Sequence, residues 1–401
     1  MQLSRPALWH MTPQWIWQYP SWPVFGYSSE RLAPVVLQVS RRAQSLLASL
    51  SGPDVDDLAA LQLETLIQNL LKTSQIEGEQ LDVASVRSSL MRRLQPAVVQ
   101  PIHAQPTAQS DALARLVDEC TRGPSPDGAP LDSERVLRWH RLLFAGSPSP
   151  HVQPGHWRQG PDAMQVVSQR GGRQVVHYEA PPASVVVAEM QHFLHRFQES
   201  GRHEHAVDVI DLDKNPWIRA AVVHFWFVTI HPFDDGNGRM ARALSDYALS
   251  EYHPVLSRLL AVPASIEVRR RDYYQVLEQV QRGSPADISA FLGFWLDCVL
   301  HAFDRVDNSL ARVIQRTRFW RRWQESDLLR PQIKLLHRML SDRDDNFPHG
   351  VQAGQYARLC EIDKATATRH LSELARRGIV ERSGAGRSIR YVLADLCDSD
   401  A

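Results

Sequence analysis

The stretch from Asn215 to Leu249 restricts the fold more than any other part of the chain. Asn215-Pro216 is a helix start, because the asparagine side chain can cap free amides and a proline at the first helical position lacks an N–H that would go unused. The apolar run from there to Ile230 predicts a buried helix. His231-Pro232 has to end it, since the residue before a proline is pushed out of the α region. Phe233 then reads as a core anchor for a loop, Asp234-Asp235-Gly236-Asn237-Gly238 as a glycine-rich turn, and Arg239 to Ser250 as helix again.

A glycine-rich turn entering a helix points several free backbone N–H groups and the positive end of the helix dipole at one spot, which suits an anion. Arg239 and Arg242 are three residues apart, so they share a helical face, and two guanidinium forks beside free amides suit a polyphosphate better than a carboxylate. Asp235, an acceptor-only oxygen ligand beside such phosphates, is placed for Mg²⁺. A neutral His231 at the mouth can take a proton from an attacking hydroxyl. Two other readings compete. Gly236-x-Gly238-x-x-Ala241 nearly matches a dinucleotide fingerprint, but that needs a strand joined tightly to the turn, and His-Pro-Phe-Asp-Asp intervenes. The other is a capped helix carrying incidental arginines.

The rest of the chain reads as a modular, mainly helical protein. Its 401 residues exceed the roughly 150 of an ordinary domain, predicting two or three units. Lys plus Arg equals Asp plus Glu at 45 each, so any basic surface has to be local. The longest apolar stretches fall well short of the roughly 20 residues of a membrane helix, and the N-terminus lacks a basic region followed by an apolar run. A cytoplasmic protein without membrane contact is expected. Cys120, Cys298, Cys360 and Cys397 are far apart, indicating neither a disulfide framework nor a zinc cluster.

Trp15 to Pro23, with two prolines close together, predicts an extended aromatic segment that needs a surface to cover. Leu58, Leu61, Leu66 and Leu70 recur at helical spacing, predicting one long helix over 57–76 with Gly78 as its left-handed end. A short helix over 83–94 follows, then a Pro/Ala/Gln-rich stretch to Gln109 that resembles a linker. Within the helical region 111–300, Met164 to Tyr178 has the alternation of a hairpin turning at Gly171-Gly172. Such a lone hairpin is either a flap over the core or an edge that pairs with an extended peptide. After a long helix ending near Trp323, helices over 332–340, 353–359 and 364–377 and a second hairpin give the order of a winged helix-turn-helix.

Thr229-Ile230-His231-Pro232-Phe233-Asp234-Asp235-Gly236-Asn237-Gly238-Arg239-Met240-Ala241-Arg242 resembles the signature of Fic (filamentation induced by cAMP) proteins, His-x-Phe-x-Asp/Glu-Gly-Asn-Gly-Arg-x-x-Arg, at every specified position. The resemblance extends through Trp139 to Phe144, Gly155 to Arg158, the hairpin, Pro181-Pro182, Tyr273-Tyr274 and Asp287-Ile288, over roughly residues 110–300. It implies a helical Fic core that moves AMP from Mg·ATP to a Tyr, Ser or Thr hydroxyl of a target protein, releasing pyrophosphate. By position, His231 would be the general base and Asp235 the Mg²⁺ ligand. Gly236, Asn237 and Gly238 would hold the α and β phosphates, Arg239 the β and Arg242 the γ phosphate, with Met240 and Ala241 within the same nucleotide-binding stretch. Tyr273 and Tyr274 would border the adenine, and Gln165, Val166 and Val167 would dock the target on the flap. Thr73-Ser74-Gln75-Ile76-Glu77-Gly78 resembles the family's inhibitory pattern Ser/Thr-x-x-x-Glu-Gly/Asn, which makes Thr73, Glu77 and Gly78 inhibitory. The Trp-rich start resembles the small N-terminal domain often fused to such proteins. The implied organisation is 1–95 N-terminal domain, 110–300 catalytic core, 301–330 connecting helix and 331–401 winged helix.

In that last unit Ala367, Leu371 and Leu374 turn inward, so Arg369, Ser372 and Arg376 face outward, and Arg382, Arg387 and Arg390 line the expected wing. Arg369, Arg376 and Arg387 are candidates for phosphate contacts on DNA. Winged helices also dock proteins, and Glu373 interrupts the basic face. Two functions are therefore weighed: an autoinhibited AMP transferase, with self-modification and a homodimer compatible with it, and a DNA-bound regulator whose Fic domain senses nucleotide. An intact His231 favours the first, since a sensor needs the cradle but no base.

Overall fold

The computed structural model describes residues 13–50, 55–94, 105–124, 128–146, 151–201, 215–323, 327–340, 347 and 349–394. Cys397 and most of the expected linker, residues 95–104, lie outside the described residues, as does the Arg387 side chain. The chain divides into two compact units, Met1–Asp307 and Asn308–Ala401.

The first unit is helical apart from one hairpin. Its helices are α1 (Ser29–Ser49), α2 (Val55–Ile76), α3 (Val83–Leu94), α4 (Ala108–Thr121), α5 (Ser133–Phe144), α6 (Ala183–Gly201), α7 (Pro216–Ile230), α8 (Asn237–Tyr252), α9 (Pro254–Leu259), α10 (Val262–Val268), α11 (Arg270–Gln281) and the start of α12 (Ser289–Trp323), within which the division falls. The central helix is α7, apolar on all sides and therefore buried. Asn215 Oδ1 caps it by accepting from the Trp217 and Ile218 amides at 3.0 and 3.3 Å. α8 packs along α7, and α2 lies against α3, α9 and α10.

Two expectations need adjustment. The last two residues of the stretch expected as linker begin α4, because Thr107 caps it by accepting from the Ser110 amide at 3.0 Å. The Trp15–Pro23 segment is not wholly extended: Ile16–Gln18 makes a short 3-10 turn closed by the Gln18 side chain. The surface it covers is the base of the hairpin, with Trp15 edge-on to Tyr178 and Trp17 Nε1 donating to the Glu179 carbonyl at 2.7 Å. α1 carried no expectation, although Leu32, Val36, Val39, Ala43 and Leu46 supply its buried stripe; Pro34 within it masked the pattern.

The hairpin pairs β1 (Gln165–Arg170) with β2 (Arg173–Glu179), antiparallel, around Gly171 and Gly172. Both glycines have positive φ, +57° and +77°, as the tight turn requires. The register shifts between Val166 and Val167, a bulge that re-aims the strand.

In the second unit α13 (Arg330–Met339), α14 (Ala353–Cys360) and α15 (Lys364–Arg376) precede a hairpin of β3 (Val380–Ser383) and β4 (Arg390–Leu393), to which Val351 adds a bridge at Tyr391. Ala367, Leu371 and Leu374 of α15 are fully buried with Leu335, Leu336, Tyr356 and Ile379, the inward set the sequence indicates. Among the described residues no helix is long and apolar enough to cross a membrane.

Candidate active site

The α7–α8 connection is built as the residues dictate. α7 stops at Ile230, and His231 takes the left-handed conformation (φ 53°, ψ 58°), uncommon for a residue with a Cβ. Phe233 is fully buried and held by both ends of one amide: Asn237 Oδ1 accepts from its N–H at 2.9 Å and Asn237 Nδ2 donates to its carbonyl at 2.8 Å. Gly236, the N-cap of α8, has φ +80°, and a Cβ there would press into Leu143 at 2.7 Å and Phe144 at 3.0 Å. α8 begins at Asn237, two residues before the spacing indicated, so the cradle is the first helical turn itself. Its leading amides lack intrahelical partners by geometry.

Arg158 holds the strained histidine. Its own amide donates to the Pro232 carbonyl at 2.9 Å, Nε to the His231 carbonyl at 2.7 Å, and Nη2 to the Pro181 carbonyl. The side chain is buried, 4% exposed, and burial draws its pKa down. The His231 Nδ1 lies 3.1 Å from the Val228 carbonyl, an acceptor only, so Nδ1 carries the proton and Nε2 is left as the basic nitrogen. Burial, with the Arg158 charge adding to it, lowers the His231 pKa from 6.5 to about 4, so the ring is neutral across the physiological range.

His140 supports the loop from the other side, stacked on Phe233 with ring centroids 3.7 Å apart. Its Nδ1 accepts from the Gly155 amide at 2.9 Å, which fixes the proton on Nε2 facing the Asp235 carbonyl at 3.1 Å. Burial first, then Arg239, brings its pKa to about 4.

The cradle arginines are occupied by the end of α2. Arg242 Nε donates to Thr73 Oγ1 at 2.6 Å, and Nη2 to the Thr73 carbonyl at 3.1 Å and to Glu77 Oε1 at 2.7 Å. Glu77 Oε1 lies so close to Gly238 that a Cβ there would clash with it, against the start of α8. Burial alone would raise the Glu77 carboxyl, but the Arg242 charge and hydrogen bond, with Arg239 and Arg270 behind, hold it below the ordinary carboxylate range. Gly78, at φ +84°, is the left-handed end of the helix. Arg239 reaches Glu79 Oε2 at 2.7 Å and lies over the Phe144 ring. Among the described residues, the buried Arg239 Nε and Arg242 Nη1 have no hydrogen-bond partner, which leaves two donors available to an anion.

The remaining indicated residues divide. Met240 and Ala241 are fully buried, and the Met240 amide is taken by the Gly236 carbonyl, so their side chains serve the core. Tyr273 is buried as well, its hydroxyl 2.9 Å from His224 Nε2, whereas Tyr274 is 39% exposed and reaches the Ile76 carbonyl at 3.4 Å. Asp235 is largely exposed at the mouth, one oxygen accepting from the Gly236 amide at 2.6 Å and the other 3.9 Å from Arg239. Among the described residues no group of three His, Cys, Asp or Glu side chains forms a metal cluster. A single exposed carboxylate suits Mg²⁺, which takes most of its ligands from phosphates and water. Gln165 and Val166 are half-buried and Val167 exposed on β1, while His177 and Arg282 tie β2 to α11: His177 Nδ1 is 2.7 Å from Glu278 Oε2 and Arg282 Nη2 donates to the Val176 carbonyl at 2.9 Å. In the second unit Arg369 and Arg376 are exposed on α15, but Arg376 is paired with Glu373 at 2.7 Å, and Arg390 turns to the Gly350 carbonyl at 3.1 Å. Arg158, His140 and Glu79 had no role assigned from sequence; a buried guanidinium bound to carbonyls over 70 positions away leaves no local signal.

Comparison with known proteins fits this geometry. The model for the Fic/DOC family matches residues 130–249, and one described as a domain of unknown function (DUF4172) matches residues 15–95. A relative from Drosophila ananassae named "Protein adenylyltransferase Fic" is 33% identical over 250 residues, covering 60% of this chain and 41% of that protein. A "Uridine 5'-monophosphate transferase" from Xanthomonas campestris pv. campestris (strain 8004) is 23% identical over 238 residues, covering 53% and 43%. The chain spans less than half the length of the curated relatives it matches. The crystal structure of a Fic family protein from Desulfovibrio desulfuricans G20 superposes with a TM-score of 0.51 at 20% identity, covering 93% of this chain and 98% of that one, a likeness of fold. The chain carries a Fic/DOC domain.

Proposed function

With that Fic/DOC domain as the premise, we propose that the chain transfers AMP from Mg·ATP to a Tyr, Ser or Thr hydroxyl of a target protein and that Glu77 holds it inactive. One observation carries the reading: a neutral histidine, its Nδ1 proton tied to Val228, leaves Nε2 free beside a helix start whose two arginines each hold a carboxylate. In the step, the target hydroxyl oxygen bonds to the α-phosphorus, the bond between that phosphorus and the α–β bridging oxygen breaks, and pyrophosphate leaves. The hydroxyl proton passes to His231 Nε2. The α8 amides, Arg239 and Arg242 hold the phosphate oxygens, and Asp235 would hold a magnesium ion, which would offset phosphate charge. Tyr274, exposed beside the end of α2, borders the base, and the β1 edge docks the target. A relative named for adenylyl transfer and another named for uridine monophosphate transfer together support nucleotidyl chemistry and leave the base to be tested. The second unit, three helices then a hairpin, we read as a winged helix that directs the enzyme to its location through DNA or protein.

The test is label transfer from nucleotide labelled at the α position, ATP and UTP in parallel, with cell lysate as target source. Wild type should label weakly and Glu77→Gly strongly with ATP. The double change Glu77→Gly with His231→Ala should lose 10²–10⁴ in rate while binding ATP almost as before. Label arriving from the γ position instead would replace nucleotidyl by phosphoryl transfer. UTP outperforming ATP would reassign the base.

A further inference from the structure

The end of α2 delivers two carboxylates, not one. Its cap has the Schellman pattern: the Gly78 amide donates to the Gln75 carbonyl at 3.0 Å and the Glu79 amide to the Ser74 carbonyl at 3.0 Å, around the left-handed Gly78. That geometry makes Glu77 the C-cap residue and Glu79 the second residue beyond it, and brings both back against the start of α8. Glu77 takes Arg242 at 2.7 Å, and Glu79 takes Arg239, also at 2.7 Å. Arg239 is 5% exposed and its Nη1 is held by Glu79, so an anion reaching for that nitrogen has to displace the carboxylate. It stands at the third helical position, nearer the free amides than Arg242 one turn on.

We propose that Glu79 is a second gate, acting on nucleotide affinity where Glu77 acts on alignment. The proposal rests on the reading of Arg239 and Arg242 as holders of successive phosphates. A nucleoside diphosphate needs Arg239 for its β phosphate and so has to displace Glu79. A monophosphate, held by the α8 amides alone, does not reach that fork. Glu79 therefore biases the resting site against di- and triphosphates, and Glu77 misplaces the terminal phosphate of whatever triphosphate still enters. Removing Glu77 alone leaves Arg239 occupied, so the gates act in series.

The experiment is calorimetric titration of the full chain with ADP and with AMP, for wild type, Glu79→Ala, Glu79→Gln, Glu77→Gly and Arg239→Ala, each checked for native circular dichroism. Losing a charge-assisted competitor is expected to tighten ADP about tenfold in both Glu79 variants, with AMP unchanged and ADP little changed in Glu77→Gly. ADP affinity unaltered by either Glu79 variant, or AMP tightening by the same factor as ADP, overturns the gate. ADP binding that is indifferent to Arg239→Ala removes the phosphate reading of the cradle itself, and the gate with it.

Discussion

Arg158 and His231 show how little of the candidate site resides in the histidine itself. A left-handed histidine before a proline is a strained arrangement, costing of order 1–3 kcal/mol, and persists only if its surroundings insist on it. Here they do so through the main chain: one guanidinium ties the histidine's own carbonyl to that of Pro181. Arg158→Lys keeps the charge but loses the fork, and is expected to lower the transfer rate of the Glu77→Gly protein about 100-fold through misplacement of the base. ATP affinity should stay near its starting value. A parallel loss of affinity would mean that Arg158 supports the cradle and not the histidine. The residues legible in the sequence, His231 to Arg242 and Thr73 to Glu77, lie in short runs whose spacing the chemistry itself sets. Arg158, His140 and Glu79 were not, because each acts across 70 to 160 positions through contacts that no local pattern encodes. Asn237 was legible as a site residue, yet its side chain closes the Phe233 loop, leaving only its backbone amide for a ligand.

At the scale of elements, α2 and α3 could be read from their hydrophobic period, and α7 from its apolar run and the Asn215 cap. α1 could not, because a proline inside a helix is indistinguishable by sequence from one that ends it. α15 presents a different lesson. Its buried stripe is clear from spacing, while the worth of its outward arginines depends on partners: Glu373 accepts from Arg376 at 2.7 and 3.1 Å, whereas Arg369 is exposed without any such pair among the described residues. If the second unit binds duplex DNA, Arg369→Ala should therefore weaken binding more than Arg376→Ala. Each DNA phosphate that a variant no longer neutralises should reduce the slope of log K against log salt by about 0.9. Titrating a fluorescent duplex at several salt concentrations decides it. Absence of salt-sensitive binding by the full chain would assign the unit to protein docking.

The first unit as a whole is expected to be acid-sensitive in a defined window. His140 and His231 are brought by burial to about 4 and His224 to about 3, against 6.5 in an unfolded chain. Folded pKa values below the unfolded one mean that the unfolded chain binds more protons, so stability is complete above 6.5 and is lost as pH falls toward 4. Asp246, buried and raised by that burial to about 7 despite the Asn69 amide at 2.9 Å, has the opposite sign: it detracts increasingly as pH rises from 3.8 through 7. Thermal melts across these values should show the transition temperature falling as pH drops below 6.5. Asp246→Asn should raise it by an amount that grows as pH rises from 3.8 and is complete above 7. A flat profile through the histidine window would show that these rings are wetter than their packing implies.

Glu79 and Arg239 are 160 positions apart in one chain and lie within one compact unit. On the proposed reading the block would be a tethered competitor, whose local concentration is set by the length and stiffness of the intervening polypeptide and not by how many copies of the protein are present. Diluting the protein would then not release it, and making more of it would not silence it further. What would move the balance is the concentration of free nucleotide, against which a fixed internal carboxylate competes at constant strength, so the fraction of unblocked molecules would follow the nucleotide supply and not the abundance of the protein.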